Sequence, residues 1–568
     1  MKPTSFLIKT GSEQAHTSNF RPVYSDNLCS LYIRTHNEKH IQHVFNDEGF
    51  TIFIGEATRP TISKDITSGP PGQGTFIQYN KASGNIVINT DRLGSALIYY
   101  CRDQNDNLEI SNRLDNLSLE GNAPNWPAIQ QYLNSGYTIG SSTFFHNVEQ
   151  TLPNETLTAS SESAFRIRRT TSEAGKTRSM ETYTVDELVD ALSERISTVL
   201  REHTPSVLMM SAGWDSRTLL MTGPENYRTA YTHGDLSSRE ISISRGLTGS
   251  LRMDHVFSDI KNLDISSDLL DLMLEELGFC VFPVWYIAGQ RAQNTYSAPL
   301  SSGVLGEFLG GHYGLLSMGS RFQKLLASAS LLNGRLIADE QFSKALELFT
   351  TPAPDHWFLS PEGRNILADS AKSTKRIIGG KLDSAFEKTG DWQSAIEVFN
   401  MEHRARQYIL KQAQAASSTS GYIAPFADDE LAEIVQLIPF DSRVHNKLNR
   451  KLLKSNNPGL LDYSLAATLI PAKYPIFFQE LSRGARIVFE QCRKLAGTNQ
   501  PRLGWFNYEH LYQLNVLNEI TDSLSLTIWD KKRMHKTLEC NPENSIDAGS
   551  TLDMLCKLKT IDYYLKIK

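Results

Sequence analysis

The sequence predicts an α/β protein with a layered, strand-rich amino-terminal region and a doubly wound parallel sheet with helical additions after it. Three observations carry that expectation. Short β-branched and aromatic runs broken by Gly, Pro, Asn and Asp fill roughly the first 160 residues, as hairpins in a layered sheet require. Beyond that stretch the apolar period becomes helical. Apolar runs then alternate with helical stretches, the order that builds a parallel sheet.

The runs Thr51-Ile52-Phe53-Ile54, Thr75 to Tyr79, Asn85 to Asn89 and Ala96 to Tyr100 are the expected strands, and Gly69-Pro70-Pro71-Gly72 is the clearest break. A polar stretch with Ser160-Ser161-Glu162-Ser163 and Arg166-Ile167-Arg168-Arg169 reads as a linker or exposed arm. Thr184-Val185-Asp186-Glu187 has the form of a capping box, with a hydroxyl at the cap and a carboxylate three residues on. Leu188, Leu192, Ile196, Val199 and Leu200 follow at helical spacing. Val207-Leu208-Met209-Met210 suits a strand buried on both faces. Thr229 to Thr232 and His255 to Phe257 continue the sheet, with a helix around Arg239 to Gly249 between them. From about residue 320 the pattern is mostly helical, punctuated by Pro471, Pro475 and Pro501. The resulting division is 1–160, a linker 161–182, a second domain 183–485 and a helical extension 486–568.

Length and composition set the class. A chain of 568 residues exceeds what one core usually serves. Lys plus Arg number 57 against 63 Asp plus Glu, for a net charge of -6, which gives no general pull toward nucleic acid or an anionic membrane. Six scattered cysteines show no metal-ligand spacing and read as reduced cytoplasmic thiols. Met1-Lys2-Pro3-Thr4 lacks the blocks of a signal peptide. The most apolar stretch, Cys280 to Ala288, contains Pro283 and is too short to span a bilayer. A soluble cytoplasmic protein without a membrane or nucleic-acid partner is expected.

Chemistry concentrates in Ser211-Ala212-Gly213-Trp214-Asp215-Ser216-Arg217, between the run at 207–210 and a helix starting at Thr218. Gly213 permits a sharp turn and close approach of backbone to a ligand. Amides at the new helix start suit phosphate oxygens; Ser211 and Ser216 add hydroxyls, and Asp215 can hold Mg²⁺. The plain alternative is a strand-to-helix turn with Asp215 and Ser216 as capping residues.

That loop resembles the Ser-Gly-Gly-x-Asp-Ser element of the asparagine synthetase family, which also includes β-lactam synthetases and lasso-peptide cyclases. Further stretches match in order over roughly residues 40 to 475. Asp91-Arg92-Leu93-Gly94 with Leu97 to Tyr100 resembles an element of the family's glutaminase domain; Tyr132 to Tyr137, Thr143-Phe144-Phe145 and Leu152-Pro153 resemble its closing segment. Ala424-Pro425-Phe426-Ala427-Asp428, Leu431 and Arg450-Lys451-Leu452-Leu453-Lys454 resemble two elements of the synthetase domain.

The resemblance implies a glutaminase-like (Ntn-type) first domain and an ATP-binding synthetase domain, with ATP and Mg²⁺ as cofactors. It places Ser211, Gly213, Asp215, Ser216 and Gly303 at the nucleotide, Asp215 and Glu307 at the metal, and Arg450 beside the pyrophosphate. Arg450, Lys447, Lys451 and Lys454 read otherwise as a solvated helix face. Departures are specific. Lys2 stands where glutamine-using members have a nucleophilic cysteine, and Ile54-Gly55-Glu56 lacks the glutamine-holding Asn, so glutamine hydrolysis is not expected. In the acidic loop Ser302-Gly303-Val304-Leu305-Gly306-Glu307, Val304 replaces a catalytic Glu, and either Glu307 or Gly306 aligns with the metal-binding Asp; Glu307 supplies the carboxylate. Gly421 replaces a second acid, leaving Tyr422, His312, Asp428 and Glu430 as candidate bases.

The expected activity is ATP-dependent amide formation on a small-molecule or peptide carboxylate, through an acyl-adenylate with release of pyrophosphate. The amine is ammonia or part of the substrate, and proteins of the same biosynthetic cluster are expected partners. An asparagine synthetase fed by ammonia is one alternative. A non-catalytic nucleotide-binding or scaffold protein of the same fold, favoured by Ala212, Val304 and Gly421, is another.

Overall fold

Strand β1 (Ser5–Thr10) is buried along its whole length, because two layers cover it. Phe6 and Ile8 join a cluster with Ile52, Ile77 and Ile88 between two sheets, while Leu7 joins a second cluster on the helical side. The alternation follows from the two-residue period of a strand. The computed structural model describes residues 5–11, 20–34, 41–55, 74–160, 166–171, 183–202, 205–259, 265–313, 356–417, 421–495, 511, 515–539 and 548–566.

The amino-terminal layers are β1, β2 (Arg21–Ser25), β3 (Cys29–Arg34), β4 (Ile41–Asn46), β5 (Gly49–Gly55), β6 (Gly74–Asn80), β7 (Asn85–Thr90), β8 (Tyr99–Arg102), β9 (Leu108–Ser111), β10 (Val148–Gln150), β11 (Glu155–Ser160) and β12 (Arg166–Thr171). They form two antiparallel sheets, ordered β10-β8-β9-β1-β3-β2 and β12-β11-β7-β6-β5-β4. Helix α1 (Trp126–Ser135) lies between β9 and β10 in sequence. Two expectations shift here. The strand read from Ala96 starts only at Tyr99. The basic stretch read as linker supplies β12, an edge strand in register with β11 from Glu155↔Thr171 to Ser160↔Arg166. Arg169 there lies 5.6 Å over the Tyr100 ring and 3.5 Å from Glu155, partners that composition does not reveal. The break at residues 69–72 lies outside the described residues.

The second part starts at α2 (Val185–Glu202). Its capping box forms: the Glu187 carboxylate accepts from Thr184 N at 2.7 Å, and Glu187 N donates to Thr184 Oγ1 at 3.3 Å. Then come β13 (Ser206–Met209), α3 (Trp214–Leu220), β14 (Tyr227–Gly234), α4 (Arg239–Ser250), β15 (His255–Asp259), α5 (Ser267–Leu277), α6 (Pro283–Tyr296) and β16 (Leu300–Ser301). After residues 314–355, outside the described set, follow α7 (Pro361–Thr389), α8 (Trp392–Phe399), a π-helical stretch Asn400–Ile409 and α9 (Leu410–Ala416). Strand β17 (Tyr422–Ile423), α10 (Asp429–Leu437), α11 (Lys447–Asn456), α12 (Ile476–Leu495), α13 (Val516–Ser523), α14 (Lys531–Glu539) and α15 (Ala548–Lys566) complete the chain.

The third sheet is parallel, ordered β15-β14-β13-β16-β17. Strand order reverses beside β13, so the loops after β13 and β16 leave the sheet side by side. In open α/β sheets that crevice is where ligands bind. No described helix is long and apolar enough to cross a membrane. The boundary expected at 485/486 falls inside α12. The helix α15 belongs to the interior: Leu555, Leu558 and Ile561 are fully buried in one cluster with Leu7, Ile129 and Leu133 of the amino-terminal part.

Candidate functional site

Three segments meet at the carboxyl ends of β13 and β16. The first is the loop from β13 to α3, where the polypeptide turns back on itself through serine. Ser216 Oγ donates to Ser211 O at 2.9 Å and accepts from Ser211 N at 3.1 Å; the two hydroxyls lie 2.8 Å apart. Gly213 N donates to Ser211 Oγ at 3.1 Å, and Ala212 N donates to the Glu240 carboxylate at 2.7 Å. The amides of residues 211–213 are therefore committed within the protein. Gly213 itself is the N-cap of α3 and brings no side-chain acceptor, so no cap side chain covers the first-turn amides from Trp214 onward.

Arg217 anchors the loop from behind. Fully buried, it donates to the carbonyls of Leu460, Tyr463, Ser464 and Ala212. Neither Arg217 nor Glu240 carries a sequence signal for this task. An arginine after a loop reads as surface, and an acid in a first helical turn reads as a dipole partner.

The second segment is the acidic loop after β16. Ser302 Oγ is hydrogen bonded to the Tyr422 hydroxyl and accepts from Val304 N at 3.2 Å. Leu305 sits at φ 70°, a left-handed conformation that an ordinary side chain takes only when its surroundings enforce it. The loop packs flat on Asp215. A Cβ on Gly303 would stand 2.5 Å from Asp215 Cβ, and one on Gly306 2.7 Å from Asp215 Oδ1, so both positions need glycine for that approach.

Asp215 is the centre of the site. Its carboxylate makes no hydrogen bond or ion pair, and burial, reinforced by the charge of Glu307, pushes its pKa up to about 8. Glu307 is exposed, with Arg404 3.9 Å away. Two neighbouring carboxylates, one uncompensated, form an environment that a divalent cation neutralises, and the oxygen donors suit Mg²⁺. Among the described residues no set of three or more acidic, His or Cys side chains gathers round a metal position, and an ion held by Asp215 and Glu307 would take its remaining ligands from water or a bound anion.

The third segment is α11. Arg450 lies with its guanidinium 5.8 Å from the centre of the Trp214 ring and donates to Tyr474 O at 2.9 Å, while its Nε has no partner. Partial burial lowers its pKa, with no nearby acid acting against it. The helix is keyed to the acidic loop by Asn446, whose Nδ2 lies 3.1 Å from His312 Nε2 and whose N–H donates to Gly310 O at 3.4 Å.

The structure thus gathers Ser211, Gly213, Asp215, Ser216, Gly303 and Glu307, with Arg450 joining through Trp214. The candidate bases separate. Asp428 caps α10 through Leu431 N at 3.0 Å and is held by the Arg195 fork at 2.6 and 2.7 Å; Glu430 is 3.0 Å from the same arginine. Both are structural. His312 is kept neutral by burial, and Tyr422 bonds Ser302. Arg92 bridges the two parts, its N–H donating to Asp429 at 3.2 Å and its Nη1 to Glu433 at 2.6 Å, while Asp91 accepts from Ser95 N at 2.7 Å within the amino-terminal part. Lys2 and Glu56 lie outside the described residues. No family model and no curated protein matches the chain.

Proposed function

We propose that this protein is an ATP-dependent, amide-forming ligase of the asparagine synthetase type. The observation that carries the reading is the unpaired Asp215 carboxylate beside Glu307, at the end of a parallel strand where the sheet order reverses. In this reading a substrate carboxylate oxygen attacks the α-phosphorus of ATP and pyrophosphate leaves. An amine nitrogen then attacks the acyl carbon, loses its proton and expels AMP. Bound Mg²⁺ screens the triphosphate and stabilises charge on the leaving pyrophosphate.

Asp215 and Glu307 hold that ion. The Ser211 hydroxyl and the uncapped first turn of α3 face the phosphate chain, while the Ser216 hydroxyl, donating to Ser211 O, holds the turn. Arg450, braced on Trp214 and Tyr474, supplies positive charge where the leaving group develops negative charge. Tyr422 and His312 remain as groups able to accept the amine proton, directly or through water.

A second reading has its own observation. The Glu240 carboxylate on Ala212 N and the closed serine pair occupy part of the loop that a phosphate would use, as expected of a non-catalytic nucleotide-binding or scaffold protein. Exchange of labelled pyrophosphate into ATP, run with Mg²⁺ and a panel of amino and sugar acids, separates the two. Exchange by the wild type that disappears in Asp215→Asn supports the ligase. ATP binding without exchange on any acid supports the scaffold.

A further inference from the structure

A cavity of about 270 Å³ lies between the amino-terminal sheets and the helices around α9, and Tyr422, the partner of Ser302, is part of its lining. Its walls are largely apolar, with Leu97, Tyr99, Leu114, Phe144 and Leu277 among them, and α15 closes one side through Thr560 and Tyr564. Lys411 on α9 enters this space. Its Nζ stands 5.4 Å from the centre of the Tyr132 ring and 5.1 Å from that of Phe279, and it has neither a hydrogen bond nor an acidic partner.

The other lining charges are already committed. Arg113 forks onto Asp115 and donates to the carbonyls of Leu274, Glu275 and Glu276. Glu276 accepts from the Tyr286 hydroxyl at 2.6 Å. Lys411 is the uncommitted charge of the cavity, and burial lowers its pKa to about 8. Two aromatic faces ease the cost of holding the ammonium there but do not replace a counter-ion.

Gln407, one turn earlier, adds a second free donor. Its Oε1 must be the atom facing Thr138, because it accepts from the Thr138 backbone N–H at 3.3 Å and from the hydroxyl at 3.0 Å. The remaining Nε2 has no partner. A cation and an amide N–H₂ without acceptors, set in an apolar chamber, describe a receptor for an acceptor-only, negatively charged head on an apolar body. Gln407 belongs to the π-helical stretch Asn400–Ile409, a local widening that often marks functional positions.

We infer that this cavity is a binding site for a small organic carboxylate with an apolar body, its carboxylate received by Lys411 and Gln407. Tyr422, a group named in the ligase reading, also lines this cavity, but binding here needs neither ATP nor metal, so its failure and the failure of that reading are distinguishable. Titrating the full chain with phenylacetate, phenylacetamide and phenethylamine, without nucleotide and in chelator, tests it by calorimetry or ligand-observed NMR. Phenylacetate should bind at least tenfold more tightly than the amide or the amine, and Lys411→Met should abolish that preference. Met is apolar and of similar length, so thermal melting should show the variant as stable as the wild type or more so. The wild-type comparison of acid against amide decides the matter even if the variant fails to fold. Equal binding of acid and amide, no binding of the acid, or unchanged acid binding in a folded Lys411→Met protein would overturn the assignment.

Discussion

The carboxylate of Asp215 lies in the field of Glu307 with nothing to neutralise it, while the Gly306 backbone presses against its other side. Burial holds a proton on Asp215 up to about pH 8. The folded chain therefore binds a proton that the unfolded chain releases near the ordinary carboxylate pKa, and stability must fall as pH rises between those values. In chelator the melting temperature should drop from pH 5 to 8, and Asp215→Asn should remove most of that slope. At pH 8 the variant should gain on the order of 2 kcal/mol, below the full 1.4 kcal/mol per unit because solvent reaches part of the site. Mg²⁺ should raise the melting temperature of the wild type but not of Asp215→Asn. A flat, metal-independent profile for both proteins would remove the cation from the site.

Arg450 makes one hydrogen bond, to a carbonyl, and otherwise leans on Trp214. Its contribution to folding is small and its position beside the loop is the informative feature. Arg450→Ala should slow pyrophosphate exchange about 100-fold with little change in melting temperature. Arg450→Lys should recover part of the rate, since a point charge lacks the planar contact with Trp214. An unchanged exchange rate in Arg450→Ala returns the residue to the helix surface.

Behind the acidic loop, Arg443 is gripped by both oxygens of Glu397 at 2.8 and 2.6 Å and donates to Phe308 O at 3.1 Å. This pair fixes the residue following Glu307. Removing one partner strands the other charge, so Glu397→Ala should cost about 3–5 kcal/mol in denaturant melts. Whatever protein remains folded should show weaker Mg²⁺ stabilisation than the wild type. Loss of stability with metal response intact would confine the pair to packing.

The carboxyl-terminal helix is expected to be indispensable. Leu552, Leu555, Leu558 and Ile561 of α15 are at most 3% exposed, and burying each such side chain contributes about 1.5–3 kcal/mol. Their sum rivals the about 5–15 kcal/mol that holds a typical domain folded. A chain ending at residue 547 should therefore aggregate or bind dyes that report exposed core. Cooperative melting of that truncation at the wild-type temperature would show α15 to be an appendage.

Much of the fold was written in local pattern. The β-branched and aromatic runs Thr75 to Tyr79 and Asn85 to Asn89, the capping box at Thr184 and Glu187, and the double-buried run at 207–210, whose strand ends at Met209, each became the element expected of them, because backbone hydrogen bonding and burial leave a short menu. The turn after β13 was legible too, but the helix starts at Trp214 rather than Thr218, which puts Asp215 and Ser216 in its first turn. What the sequence could not contain was the company those residues keep. Glu240 reaches Ala212 across 28 positions, Arg217 reaches Leu460 across 243, and Lys411 faces rings from α1 and from the turn before α6. Such partners are set by how sheets and helices stack, and a side chain gives no local sign of a neighbour hundreds of residues away. For the same reason α15, with no motif to mark it, became a wall of the interior: apolar surface goes wherever the assembled layers leave room for it.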